Sequence, residues 1–456
     1  MNVRESLSTT TKAVLVDQLL SALGGRSDAT LIRLTRVAEH LPRDPKHRRQ
    51  IAWIRERFEE NHPAVKLARR ILNETHPNVR RGLLMNLFVR GLWVGNAVRD
   101  DLRTEKGFRP PFLLVVSPTM RCNLRCTGCY AGAYPQREEL SPERLDRLVS
   151  EAKELGMHFM VISGGEPFLR PDLLTLFEKH SDVAFLVYTN GTLIDADVAR
   201  RLAELGNAAP AISVEGFAAE TDARRGPGTY AKVEAAMKAL RDAGCLFGFS
   251  ATVTRQNAEL ITSDAFIDRY VELGCYIGWY FHYLPVGRAP SLEMMPTPQQ
   301  RHRLREKVLE IRRTRPIFVV DFWNDGPLTG GCIAGGRNYA HINHRGDVEP
   351  CVFAHFAVDN IHQKSLEEAL NSPFFQRIRA RQPFSENELR PCMIIDHPHI
   401  LREIVAESGA RSTDGGGETL LVKHAPALDS YAQQYAALAD PAWESDYEWA
   451  KRGELL

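Results

Sequence analysis

The 456-residue chain has no run of about 18 uninterrupted apolar residues, which excludes an obvious membrane-spanning helix. Its opening, MNVRESLSTTTK, lacks the apolar stretch of a secretory signal, so the expected location is the cytoplasm. Cysteine is sparse, at eight residues. In a reducing compartment these serve better as metal ligands, nucleophiles or core residues than as disulfides. Net charge is almost absent, at +1, but the balance is uneven: residues 1–110 hold 21 Lys and Arg against 12 Asp and Glu. A basic front suits an acidic partner, an anionic lipid surface or the chain's own acidic body. Nucleic acid is disfavoured, because no aromatic stacking platform or recognised binding motif accompanies the charge. Wholesale disorder is excluded by 44% hydrophobic and 25% charged residues, the proportions of an ordinary globular protein.

What is present falls into zones. VLVDQLLSAL, ATLIRLTRVAEHL and RRQIAWIRERFEE space apolar residues at helical intervals, with breaks at Gly24-Gly25 and Pro42 to Pro45, so residues 1–110 are expected to form a basic helical domain. Within it, RRGLLMNLFVRGLWVGNAVR sets Leu83, Leu87, Leu92 and Trp93 among Arg80, Arg81, Arg90 and Arg99. It is a core helix packing on the next domain or a peripheral membrane-surface helix. From Phe112, six short apolar strands alternate with amphipathic helices: FLLVV, HFMVI, AFLVY, PAISV, FGFSATV and YIGWYFHYL. This alternation predicts an α/β fold, a partial (βα)6 TIM-type barrel over 111–295, with its chemistry at the C-terminal ends of the strands. Residues 296–405 are expected to be a small α+β domain, and 406–456 a flexible linker and helical tail. No other internal repeat occurs.

CNLRCTGCY places Cys122, Cys126 and Cys129 directly after the first strand. Three thiolates on one tight loop bind three irons of a cubane and leave the fourth open, whereas zinc would need a fourth ligand nearby. Gly164-Gly165-Glu166-Pro167 follows the second strand. CX3CX2C and GGEP in this order resemble the radical S-adenosylmethionine (SAM) superfamily over about residues 112–290. The resemblance implies a [4Fe-4S] cluster that chelates SAM, reductive cleavage to a 5′-deoxyadenosyl radical, and hydrogen abstraction from an unactivated C–H bond. It also implies a low-potential electron donor, ferredoxin or flavodoxin. Gly164, Gly165 and Glu166 would meet the SAM amine. Asn190 ends the third strand, Ser213 and Glu215 the fourth, and these with Arg225, or its neighbour Arg224, would contact the ribose or carboxylate. Ser250 and Thr252 share one side of strand five, and Leu284 lies where the family packs adenine. The residue before the third cysteine, often aromatic in the family, is Gly128, so Tyr130 would substitute.

Cys332, Cys351 and Cys392 form a second set, with a hairpin turning at His344-Arg345-Gly346-Asp347 to bring Cys351 near Cys332. This segment is similar to the shortened SPASM/twitch domain, which implies an auxiliary [4Fe-4S] cluster with Asp396, His397, substrate or water as fourth ligand. The seven-cysteine SPASM arrangement is absent. Cys245 and Cys275 are expected as core thiols. Two substrates compete. A lipid or other hydrophobic molecule is favoured by the Arg-rimmed apolar helix and by the lack of a recognisable leader-peptide-binding segment, and a peptide is favoured by the twitch-like domain. A non-catalytic iron–sulfur sensor would have no need of the GGEP turn.

Overall fold

In the computed structural model, residues 55–452 are described, together with Ile32, Arg33, Arg36 and Ala52. The helix expected over 14–23, most of the one expected over 29–41 and most of the first half of the one expected over 48–60 lie outside the described residues. Six parallel strands follow in order: β1 (Leu113–Val116), β2 (Phe159–Ile162), β3 (Ala184–Thr189), β4 (Ala208–Val214), β5 (Gly248–Val253) and β6 (Ile277–His282). Runs such as LLVV and FMVI suit strands covered on both faces, since helices lie between them in sequence and over them in space.

The region 296–405 adds to this same sheet. β7 (Phe318–Asp321) pairs parallel with β6, and β8 (Tyr339–Ile342) pairs parallel with β1. β9 (Val348–Glu349) returns antiparallel to β8, which is the expected hairpin. The finished sheet therefore runs β7-β6-β5-β4-β3-β2-β1-β8-β9. The second cysteine set is thus joined to the barrel by backbone pairing, not by a flexible connection.

The helix Pro77–Gly82 continues through Leu83–Val94, where the bonding widens to i→i+5, into Gly95–Lys106, and ends at Gly107 with φ +67°. It crosses the end of the barrel opposite the cysteines. A Cβ on Gly82 would lie 2.0 Å from the carbonyl oxygen of Gly206, just before β4, and one on Gly95 2.3 Å from that of Gly156, just before β2. Buried Arg99 donates to Gly156 O at 2.5 Å, and Asn86 Nδ2 donates to Ser181 O at 2.9 Å. The packing role expected of this segment is therefore what its small and polar face performs, while Phe88, Leu92 and Trp93 face outward.

The stretch expected as a flexible linker and tail is built into the body. β11 (Arg411–Ser412) pairs antiparallel with β10 (Phe356–Ala357), and the helix Ala425–Asp446 packs on the helix Pro298–Thr314. Leu428, Ala432, Tyr435, Ala439 and Trp443 recur at three- and four-residue intervals and are buried, an apolar stripe hidden in a polar composition. Arg301 sits 3.6 Å from the Tyr435 ring centre. Among the described residues no helix is long and apolar enough to cross a membrane.

Candidate active site

The loop after β1 carries Cys122, Cys126 and Cys129, all half-buried. Leu124 N donates to Cys122 Sγ at 3.4 Å, and Asn190 Nδ2 reaches that sulfur at 3.9 Å while donating to Asn123 Oδ1 at 2.8 Å. Burial pushes the Cys122 thiol up to about 11 and raises Cys129 as well, with neighbouring thiols adding to both. Such thiols ionise readily only for a bound cation, which is the chemistry of a metal-cluster donor set. Among the described residues no three His, Cys, Asp or Glu side chains converge on a single-ion site. Three thiols on one tight loop are the donor set of an iron–sulfur cluster, one iron per thiolate.

Gly164 and Gly165 make room for protein backbone. A Cβ on Gly164, which has φ +110°, would stand 2.3 Å from Thr119 O, and one on Gly165 2.0 Å from Arg121 O. Gly165 N donates to Thr119 O at 2.9 Å and Glu166 N to Arg121 O at 2.8 Å, which binds the end of β2 to the start of the cysteine loop. Glu166 is fully enclosed and accepts from Phe168 N, Thr189 Oγ1 and Asn190 N. Its carboxylate braces the ends of β2 and β3. A buried carboxylate must satisfy its lone pairs, and these donors do so.

Glu215 and the two arginines, each expected to touch a ligand, touch each other. Glu215 Oε1 accepts from Arg225 Nε at 2.8 Å, from Arg225 Nη2 at 2.6 Å and from Arg224 Nη1, while Glu215 Oε2 is buried with no protein partner. Arg224 also donates to Thr252 Oγ1 at 2.9 Å and to Thr127 O at 3.1 Å. It thereby fixes the backbone between Cys126 and Cys129. Ser213 and Ser250 are register partners on β4 and β5, half-buried on the inner face.

From the end of β6, Tyr283 fills the place left by Gly128, where a Cβ would meet Tyr283 Cε2 at 2.6 Å. Gly128 has φ +63°, and an aromatic ring stands against it after all, donated by another strand. Leu284 is buried in the core. Arg288 N donates to Cys129 O at 2.9 Å and closes the loop from above. Tyr130 turns inward: its hydroxyl is 2.7 Å from Ser163 Oγ, and its ring meets Phe353 edge-on at 5.4 Å. Tyr188 meets Trp279 and Phe281 edge-on at 6.0 and 5.4 Å, and these rings flank Ser213 and Ser250 on the inner face, Trp279 being the register partner of Ser250.

Cys332, Cys351 and Cys392 gather beside Tyr339, whose hydroxyl is 3.0 Å from Cys351 Sγ. Burial drives the Cys332 thiol up to about 12, with Cys351 adding to the effect, and raises the other two. Asp396, a proposed fourth ligand, is engaged elsewhere: Arg301 grips it through contacts of 2.6 and 3.2 Å, both side chains are fully buried, and Cys392 N donates to it at 2.9 Å. His397 Nε2 meets Arg390 O at 2.9 Å. Cys245 and Cys275 are buried in the core.

One residue network that sequence reasoning passed over connects the cysteine loops. Glu349, two residues before Cys351, accepts from His341 Nδ1 at 2.6 Å, Thr413 Oγ1 at 2.6 Å, Asn343 Nδ2 at 2.8 Å and Tyr134 OH at 2.9 Å. His341 Nε2 lies 2.8 Å from Ser117 Oγ at the end of β1. The fully enclosed charge in VEPC was the one available signal, since buried carboxylates need partners.

Residues 116–260 match the radical SAM superfamily, and residues 332–393 match an iron–sulfur cluster-binding domain of SPASM type. The first range contains the first three cysteines and the second contains the other set. The chain is 31% identical to the mycofactocin maturase MftC of Mycobacterium ulcerans over 300 residues, covering 61% of this chain and 79% of that protein. It is 26% identical to the AdoMet-dependent heme synthase of Methanosarcina barkeri, covering 59% of this chain and 85% of that protein. Among solved structures it resembles Streptococcus suis SuiB bound to S-adenosylmethionine, with TM-score 0.53 and 21% identity, over 62% of this chain and 70% of that one.

Proposed function

The chain belongs to the radical SAM superfamily and carries a SPASM-type iron–sulfur domain, and from that membership we propose that it modifies a peptide by removing hydrogen from a residue whose side chain enters the barrel. When bound, the cluster and SAM supply a hydrogen-abstracting 5′-deoxyadenosyl group, and Cys122, Cys126 and Cys129 are the residues that hold the cluster. The chain's own part is to position and shield. Arg224 and Arg288 fix the cysteine loop, Ser213 and Ser250 offer hydroxyls on the inner face, and Tyr188, Trp279 and Phe281 flank them with rings.

The observation that carries the peptide reading is the likeness to a maturase, MftC of Mycobacterium ulcerans, at 31% identity over 300 residues. The fold shared with SuiB, solved bound to its precursor peptide, supports the same reading. The heme synthases favour a second one, in which a porphyrin is the molecule acted on. A lipid substrate gains no support from these relatives.

Anaerobically reconstituted enzyme, with SAM and dithionite, should be offered short peptides containing aromatic residues and, separately, iron coproporphyrin III. Peptide-dependent 5′-deoxyadenosine with a matching mass change in the peptide supports the proposal. Turnover with the porphyrin and none with any peptide overturns it.

A further inference from the structure

Tyr339 opens β8 with its side chain 2% exposed, and its hydroxyl makes one hydrogen bond, at 3.0 Å to Cys351 Sγ. Between a phenol and a thiol either atom can donate. A cluster-bound cysteine has no proton left, so against a thiolate the phenol must be the donor. Its direction is fixed in advance: the backbone is paired with Leu113 of β1, and the ring meets Phe322 at 6.2 Å. Cys332 and Cys392 lie close enough to act on the same phenol electrostatically. Asp396, the carboxylate that acts on Cys332 and Cys392, is already neutralised by Arg301.

We infer that Tyr339 tunes the cluster held by Cys332, Cys351 and Cys392, its hydroxyl donating to the Cys351 sulfur and raising the reduction potential. The physical cause is direct. Reduction adds negative charge that spreads onto the cysteine sulfurs, and a hydrogen-bond donor stabilises that extra charge more than it stabilises the oxidised state. In a dry site one such bond is stronger than it is in water. Tyr339 is thus a positioning residue of the auxiliary centre and holds no iron itself. The inference rests on those three cysteines binding a cluster, and not on which substrate the enzyme takes.

The test is a redox titration of the full chain followed by electron paramagnetic resonance, comparing wild type with Tyr339→Phe. Both should bind the same iron and show the same signal from the Cys122 cluster. The auxiliary potential should fall in the variant by about tenfold in the reduction equilibrium, about 59 mV for a one-electron couple. An unchanged potential in a variant that keeps both clusters overturns the inference. If Tyr339→Phe loses the auxiliary cluster, 3-fluorotyrosine placed at 339 decides, because it keeps the ring and sharpens the donor. A raised potential supports the inference and an unmoved one overturns it. A wild type with only one cluster signal removes the premise and the inference together, a result distinct from an unmoved potential.

Discussion

At the scale of single residues, the site works through charges paired before any ligand arrives. Glu215 compensates two arginines at the ends of β4 and β5 and has one buried oxygen left over. Removing one partner of a buried ion pair typically costs about 3–5 kcal/mol, because the other charge stays behind uncompensated. Glu215→Ala should therefore lower unfolding free energy by several kcal/mol in a urea titration and weaken SAM binding. A fully stable variant would show that Arg224 and Arg225 have other partners. Gly165→Ala should act differently. Its new methyl would press on the Arg121 carbonyl, displacing the cysteine loop and lowering iron at the Cys122 site while sparing the Cys332 site, as measured by iron content and spectra of each cluster. The three cysteines and the GGEP turn were legible because their chemistry is written in short spacings. The Glu215 clasp was not, since each member looks like a ligand contact until the helix Ala218–Arg225 folds back. Arg301 and Asp396, 95 positions apart, carry no local signal at all.

Among the elements, the loop after β11 is held by one buried ion pair. His355 Nδ1 and Asp414 Oδ2 stand 2.6 Å apart and hold it to the hairpin region. Burial lowers the His355 pKa, but Asp414 and Glu349 outweigh it and the net shift is upward from 6.5. Asp414 is lowered from 3.8, burial opposing and His355 prevailing. A raised histidine stabilises fully below its unfolded pKa and loses that stability as pH rises through the folded one. A lowered carboxylate stabilises above its unfolded pKa and loses that stability as pH falls through the folded one. The clasp should thus be tightest between about pH 4 and 6.5 and loosen above neutrality. Amide exchange of residues 411–417, corrected for its intrinsic pH dependence, should quicken from pH 6 to 9 in wild type. It should be fast and flat in His355→Gln. Equal protection across that range in wild type would contradict this. The sequence presented 406–456 as polar and Gly-rich, and composition there concealed a strand and a four-turn apolar stripe. Periodicity revealed β1–β6 because each strand is followed by its own helix. It could not reveal that β7 and β8 join opposite edges of one sheet, since pairing partners distant in sequence leave no mark on either strand.

Over the whole molecule, two cysteine sets are held in one body: β8 and β9 extend the barrel sheet, and the Glu349 network links Tyr134, beyond the first set, to the strand that leads to Cys351. Wild type should bind two [4Fe-4S] clusters, and the Cys332, Cys351, Cys392 triple Ala variant half the iron. Equal iron in both would remove the auxiliary centre. The central claim, that the first set makes this a radical SAM enzyme, has a more direct test. Reduced, anaerobic protein with SAM should release 5′-deoxyadenosine and methionine in equal amounts. Cys122→Ala, Cys126→Ala and Cys129→Ala should each abolish the product while remaining folded. Undiminished 5′-deoxyadenosine from any of the three folded variants would contradict the account.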